Sequence, residues 1–310
     1  MKKLTYAVTA LFAAAFASTA SADVSVSGSL IAGAVSDGAA STTTVRTGGG
    51  VSFAMSTTTD NGITISTGAG ITRDTDGTSA AAVTGLKSVS FATGGVTLSV
   101  GNHKLAGRDT GGVGGVISDF SDSSTVAGTM STALTRVEGH GVWLTTSMGG
   151  ATVTADMIYD LGTAGAASTD NEGVTNATTS ATGVEVALPL GDLAVTIGFA
   201  QYDPATGASE QTTGAKVAYA MDAGTLTVGY QSSDLSTDAT ASGATFATSM
   251  GSASLSVGYK TVKAATTSNT TQLAISQPLG GGASLFAEVD SVSGTGTTGT
   301  AFAIGTSVSF

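Results

Sequence analysis

The chain has 310 residues, of which 11 are basic and 22 acidic, with 44 glycines, three prolines and no cysteine. Charged residues make up only 11% of the chain, whereas they make up about 25% of an ordinary soluble domain. The net charge of −11 argues against nucleic acid and anionic headgroups as partners, and a chain without cysteine has no disulfides to hold it together.

The first residues, 1–22, have the features of a secretory signal peptide. Two lysines precede a mainly apolar run that reaches Ala17, and the small residues 20–22 form a cleavage site. The apolar run is shorter than the ~18 residues of a membrane-spanning helix, which disfavours a membrane anchor. We expect cleavage before Asp23 and one mature domain over 23–310, with a net charge of 9 − 22 = −13.

The mature chain alternates apolar residues with small or polar ones at period two, as strands do. The last ten residues show it most clearly: Phe302, Ile304, Val308 and the final Phe310 share a face opposite alanine, glycine and serine. Segments with the same alternation, given by their apolar faces, are Val24/Val26/Leu30, Val51/Phe53/Met55, Ile63/Ile65/Ala69/Ile71, Val96/Leu98/Val100, Val153/Ala155/Met157/Tyr159, Leu193/Val195/Ile197/Phe199, Leu226/Val228/Tyr230, Leu255/Val257/Tyr259 and Leu285/Ala287/Val289.

Short and long connectors take turns between these segments. Short connectors with turn residues lie at 59–62, 93–95, 148–150, 189–192, 221–224, 250–252 and 278–282. Long connectors lie near 37–43, 74–85, 104–137, 162–182, 203–213, 232–242, 263–269 and 291–298.

The pattern gives 16 strands, and an even number of strands joined by short turns at one end and long loops at the other indicates an outer-membrane barrel. We therefore predict an all-β fold, a 16-stranded antiparallel transmembrane β-barrel. Aromatic residues in phase with the apolar faces agree with interfacial girdles. The alternative is a secreted or surface adhesin-like β protein, such as a β-solenoid, without channel activity. A solenoid would repeat at a fixed length, whereas the loop lengths in this chain vary.

Several short motifs, in this order and spacing, resemble those of the Gram-negative general porins of alphaproteobacterial type, over essentially the whole mature chain. They are the strand at 24–28 directly after the signal, the hairpin from Phe53 to Gly62, the turn and strand at 94–98, the Gly-rich turn at 279–284 and the terminal Phe310.

The resemblance implies a homotrimer of barrels in the cell outer membrane, each enclosing a water-filled pore. It also implies that Phe310 is the recognition signal for the outer-membrane insertion machinery. The third long loop, about 103–137, would fold inward and narrow the pore. That this is the longest connector agrees, since long loops are usually functional.

Charged residues on the polar phase of the strands are the candidates for the pore lining. The predicted constriction joins Asp109, Asp119 and Asp122 of the third loop to Arg46 and Lys216 of the wall. Further predicted lumen charges are Lys260, Asp156, Glu185, Glu288 and Asp290. The excess of acid predicts a weak preference for cations, and each charge could instead be an ordinary solvated one.

No pattern in the sequence points to an enzyme. His103 and His140 have neither metal-ligand nor triad spacing, and the Gly-rich stretches lack the lysine and helix of a phosphate loop. We expect no cofactor; loop calcium at Asp74 and Asp76 or at Asp234 and Asp238 is conceivable chemically, but the spacing is loose. The predicted function is passive diffusion of small hydrophilic solutes and ions, with the solute unnamed.

Overall fold

The computed structural model describes residues 22–37, 42–73, 82–84, 88–108, 110–113, 138–160, 178–204, 208–234, 239–294 and 298–310. The predicted signal peptide lies outside these residues apart from Ala22, where the first strand begins. No helix in this part of the chain is long and apolar enough to cross a membrane.

The described residues form strands joined in a single antiparallel sheet. The strands are β1 (Ala22–Asp37), β2 (Thr42–Thr58), β3 (Thr64–Arg73), β4 (Ala82–Thr84), β5 (Ser88–Thr93), β6 (Val96–Lys104), β7 (Glu138–Met148), β8 (Ala151–Asp160), β9 (Thr178–Leu190), β10 (Leu193–Pro204), β11 (Glu210–Met221), β12 (Gly224–Ser233), β13 (Ala239–Met250), β14 (Ala253–Lys263), β15 (Thr267–Gly280), β16 (Ala283–Gly294) and β17 (Gly299–Ser309).

The sheet closes into a barrel because β1 pairs with both β2 and β17. Strands β4 and β5 both pair with β3, one after the other, and so share one place in the ring. The 17 strands therefore occupy 17 − 1 = 16 positions, which confirms the predicted 16-stranded barrel. A closed ring leaves no strand edge without hydrogen-bond partners, as a membrane interior requires.

Phe310 lies at the seam of the ring. Its N–H donates to the carbonyl of Gly28 at 3.0 Å, and Gly28 N–H donates back to the carbonyl of Phe310 at 2.9 Å. The aromatic ring lies over Gly28, where a Cβ would come 2.7 Å from Phe310 Cε2. Because Gly28 has no side chain, the phenyl ring of Phe310 can lie over β1 on the outer surface of the barrel.

The outward faces of the strands are apolar and exposed, as the period-two pattern predicts. On β17, Phe302, Ile304 and Val308 are exposed, while Ala301 and Ala303 are buried on the inner side. The aromatic residues predicted in this phase all lie exposed on the outer face: Tyr159, Phe199, Tyr230, Tyr259, Phe302 and Phe310. In transmembrane β-barrels the apolar outer face contacts lipid and the polar face lines the interior.

The seven predicted short connectors all join adjacent strands, and glycines with positive φ stand in most of them. Some of the long connectors are shorter in the structure than the sequence predicts. The predicted connector 263–269 shrinks to 264–266, because β14 runs to Lys263 and β15 starts at Thr267. Polar residues such as Ser268 and Asn269 pair with β16 there. They can extend the strand because strand ends beyond the lipid-facing band do not need an apolar outer face.

Candidate functional site: the inner wall and the loop after β6

The charged residues predicted for the lumen lie on the inward phase of the strands. Asp156, Lys260, Glu288 and Asp290 are buried inside the ring, and Glu185, Arg46 and Lys216 are half-buried on the same phase. The register agrees, because Glu185 is opposite the buried Gly198, and Arg46 is opposite Gly33, which is in phase with the buried Val35.

The predicted constriction is only partly within the described residues. Asp109, Asp119 and Asp122 fall outside them. Arg46 is on β2, the second position of the ring, and Lys216 is on β11, the tenth, so they stand 10 − 2 = 8 positions apart among 16. The two basic residues therefore face each other across the lumen and do not form one basic wall.

The loop after β6 turns into the barrel as soon as the strand ends. Leu105 packs in an apolar cluster with Ile158, Ala181, Ala200 and Tyr202, side chains of the inner faces of β8, β9 and β10. Apolar contact inside a water-filled ring favours the inward path of the chain. The segment from Leu105 to Val113, apart from the undescribed residue 109, is called the inner segment below.

Asp156 holds the first turn of the inner segment. Its Oδ2 accepts a hydrogen bond from Ala106 N–H at 2.6 Å and contacts His103 Nε2 at 3.2 Å. The His103 ring lies against Trp143, with centroids 4.1 Å apart. The backbone donor and the imidazole both contact the same oxygen of this buried carboxylate. Asp156 thus serves the loop more than the open lumen.

Two further polar contacts hold the inner segment farther along. Thr110 donates its hydroxyl hydrogen to Glu185 Oε2 at 2.7 Å. Gln231 on β12 donates from its side-chain amide to the carbonyl of Arg108. The sequence predicted Glu185 as a lumen charge, but not this contact, which joins residues 75 apart in the chain.

A second group of polar side chains lines β14, β15 and β16. Gln272 donates to Glu288 Oε1 at 2.8 Å, and Lys260 and Asp290 are buried nearby on the same inner face. The cross-strand pairs are Gln272 with Asp290 and Lys260 with Thr270. One basic residue on β14 and two acidic residues on β16 therefore share this wall, with uncharged polar residues of β15 between them.

The wall opposite the inner segment, on β1, β2, β3 and β5, is built mainly of small hydroxyl residues. This open wall is the inner face formed by Ser25, Ala54, Ser56, Ser66, Gly68, Ser88 and Ser90. It borders a recess of about 470 Å³ near the short-turn end of the barrel. The serine hydroxyls can hydrogen-bond to water and to polar solutes, and Asp23 adds one acidic group to the lining of the recess.

The described residues contain no group of three or more side chains suited to hold a metal ion. Of the four aspartates considered for calcium, only Asp234 is described, and it accepts a hydrogen bond from Gln211 N–H. His103 is paired with an aspartate and stacked on an indole.

Comparisons with known proteins agree with this geometry. A family model described as Gram-negative porin matches residues 7–297. A porin variant from Rh. blastica is 16% identical, with a TM-score of 0.67, and the match covers 93% of this chain and 100% of that one.

Two other solved structures are similar. The anion-selective porin from Comamonas acidovorans is 13% identical, with a TM-score of 0.68 and coverage of 94% and 100%. A loop-deletion variant of OmpT, an outer-membrane protein of Vibrio cholerae, is 15% identical, with a TM-score of 0.69 and coverage of 93% and 99%. No curated protein matches the chain. At these low sequence identities, the structural similarity shows a shared fold and nothing more specific.

Proposed function

Since the chain belongs to the Gram-negative porin family and is an outer-membrane channel, we propose that it passes small hydrophilic solutes and ions by passive diffusion, with a weak preference for cations. Porins are channel proteins and not enzymes. The adhesin-like alternative required a protein without a channel, which family membership argues against.

The observation that carries this proposal is the polar inner face of a closed ring. The side chains that face inward include serine, threonine, glutamine and charged residues, whereas the outer face carries exposed leucine, valine and aromatic residues. Water and polar solutes therefore meet hydrogen-bonding groups inside the ring. A passage of this kind selects by its width and by its lining charge.

The wall charges support a preference that is weak. Between the two rims, the inner face of the described strands carries three basic residues and four acidic ones. The basic residues are Arg46, Lys216 and Lys260. The acidic residues are Asp156, Glu185, Glu288 and Asp290. The rims add Asp23 and Glu210, and the inner segment adds Arg108. A small excess of acid lowers the potential in the lumen and favours cations only modestly.

Assembly is part of the same proposal. We expect removal of residues 1–22 on export, recognition of Phe310 by the outer-membrane insertion machinery, and a homotrimer in the outer-membrane lipid. The pairing of Phe310 with Gly28 supports a role in assembly, because the last residue completes the hydrogen bonds of the seam.

Reconstitution in planar bilayers tests the proposal. Purified barrels should give stepwise conductance, grouped in threes for a trimer. Under a potassium chloride gradient, the reversal potential should have the sign of a modest cation preference. A clear chloride preference would refute the predicted selectivity, and a folded protein that never conducts would refute the channel itself. Heat-modifiable migration in detergent confirms that the sample is folded.

A further inference from the structure

Five inward-facing glycines occur on five successive strands of the barrel. Gly198 of β10 pairs directly with Gly214 of β11, and Gly229 of β12 pairs directly with Gly243 of β13. Gly183 of β9 stands beside them, opposite Ala200. They form a continuous band along the inner wall, called the glycine strip below. Glycine weakens a strand interior and often marks a close approach of another backbone.

The inner segment lies directly on the glycine strip. A Cβ built on Gly198 would lie 2.6 Å from Gly107 Cα, and one on Gly214 would lie 2.6 Å from Gly111 N. Carbon and other heavy atoms in ordinary contact are about 3.5 to 4 Å apart. The backbone of the inner segment therefore occupies the space that a side chain would need if these wall positions were not glycine.

The remaining three glycines of the strip also contact the inner segment. A Cβ on Gly183 would collide with the carbonyl oxygen of Ala106. A Cβ on Gly243 would lie 2.6 Å from Val113 Cγ2, and one on Gly229 would lie 3.2 Å from Val113 Cγ1. Every glycine of the strip is thus in contact with the inner segment.

The inner segment has glycines that face the wall in return. Gly107 has a φ of 78°, and a Cβ there would lie 2.5 Å from the backbone N and O of Phe199. A Cβ on Gly111 would lie 2.8 Å from Gln231 Cβ. Glycines on the inner segment as well as on the wall thus allow the two backbones to come close together.

Two inward-facing glycines of β3, Gly68 of the open wall and Gly70 next to it, have no contact with the inner segment. A Cβ on Gly68 would have the carbonyl oxygen of Phe53, at 3.2 Å on the neighbouring strand, as its only contact within 4 Å. On Gly70 the nearest atom, at 3.3 Å, is again on β2. The strip is therefore distinguished by what lies on it and not by composition alone.

We propose that the five glycines are positioning residues that set how closely the inner segment lies against the wall, and so the width of the passage beside it. This inference rests on the proposed channel function. A methyl group at Gly214 would leave its contact with Gly111 about 1 Å short of ordinary contact distance, so the loop must move toward the lumen. The wall glycines and the inner segment then together determine the size limit of the channel.

A disulfide can report the position of the loop without any conductance measurement. The chain has no cysteine, so Val113→Cys with Gly243→Cys introduces a single pair. Val113 Cγ2 lies 2.6 Å from the Cβ position of residue 243, which places the two Cβ atoms about 4 Å apart, as in disulfides. We expect this pair to cross-link readily in barrels that show heat-modifiable migration.

The test introduces Gly198→Ala and Gly214→Ala together into the cysteine-pair background, with Gly68→Ala as the matched control. We expect cross-linking to slow by about tenfold in the double variant, because a shift of about 1 Å already strains disulfide geometry. Without the cysteines, the double variant should show about 1.5-fold lower single-channel conductance, since the constriction governs flux. The control should change neither quantity.

The inference would be overturned if the double variant cross-links as fast as the cysteine-pair parent and, without the cysteines, conducts as well as the unmodified protein. If the double variant does not fold, the single variant Gly229→Ala takes its place, and the same two quantities decide. A protein that conducts in no form would refute the proposed function, while the cross-linking result would still decide whether the glycines position the loop.

Discussion

The two sides of the inner wall use small residues for different purposes. On β9 to β13 the small residues include the five glycines of the strip, and the inner segment lies on these glycines in direct contact. On the open wall they are mostly serines, which border a recess. Small size serves close approach of the chain on the first side and hydrogen bonding to water on the second.

The difference explains part of a composition that is unusual for a soluble protein. Among the 44 glycines, those at Gly94 and Gly149 serve turns with positive φ, and those of the glycine strip serve contact with the loop. Glycine content alone does not separate these roles. The separation requires knowing what lies opposite each residue.

The seam beside the open wall gives the largest expected effect. Deletion of Phe310 removes two backbone hydrogen bonds to Gly28, each worth about 1 kcal/mol in water and more in lipid. We expect the yield of assembled, heat-modifiable barrels to fall by about tenfold or more. Phe302→Ala, which keeps the backbone pairing of β17, is the control. Normal yield without Phe310 would show that the seam closes without it.

A loop glycine gives the next largest effect and separates strain from collision. Gly107→Ala and Gly149→Ala both put alanine at positive φ, at a cost of about 1 to 2 kcal/mol. Only at residue 107 would the new Cβ collide with the wall, since nothing lies within 4 Å at residue 149. We expect an altered conductance for Gly107→Ala alone. Equal conductance in both variants would contradict close seating of the loop.

A single hydrogen bond of the loop gives a smaller effect. Thr110→Val removes the hydroxyl that donates to Glu185, which weakens the anchorage of the loop by about 1 kcal/mol. We expect noisier open-channel current with nearly unchanged mean conductance. Thr145→Val is the control, because Thr145 pairs with Thr154 across β7 and β8. Matching noise in the two variants would mean that Thr110 does not hold the loop.

Charge changes on opposite walls give the smallest effect. Lys216→Gln and Arg46→Gln each remove one positive charge from the inner face. Each should raise the cation-to-anion permeability ratio by less than about twofold, as the lumen already carries charges of both signs. Reversal potentials measure the change, and Lys104→Gln at the exposed rim is the control. A shift toward anions would contradict the inward placement of these charges.

Much of the barrel could be predicted because alternation is a local property. Phe302, Ile304 and Val308 face outward because a strand sends successive side chains to opposite sides, whatever its neighbours are. The same rule predicted that Lys260 and Glu288 face inward. The contacts of Asp156 and Glu185 with Ala106 and Thr110 could not be predicted, since they join residues 50 and 75 positions apart.

The sequence by itself determined the number of strands, their faces and the short turns, because period-two alternation and turn residues act over a few neighbouring positions. Only the tertiary structure decided which carboxylates hold the loop, that Arg46 and Lys216 stand on opposite walls, and which glycines bear the inner segment. Those facts depend on closure of the ring. Closure brings residues together across strands, and no local pattern records the partner that each one meets.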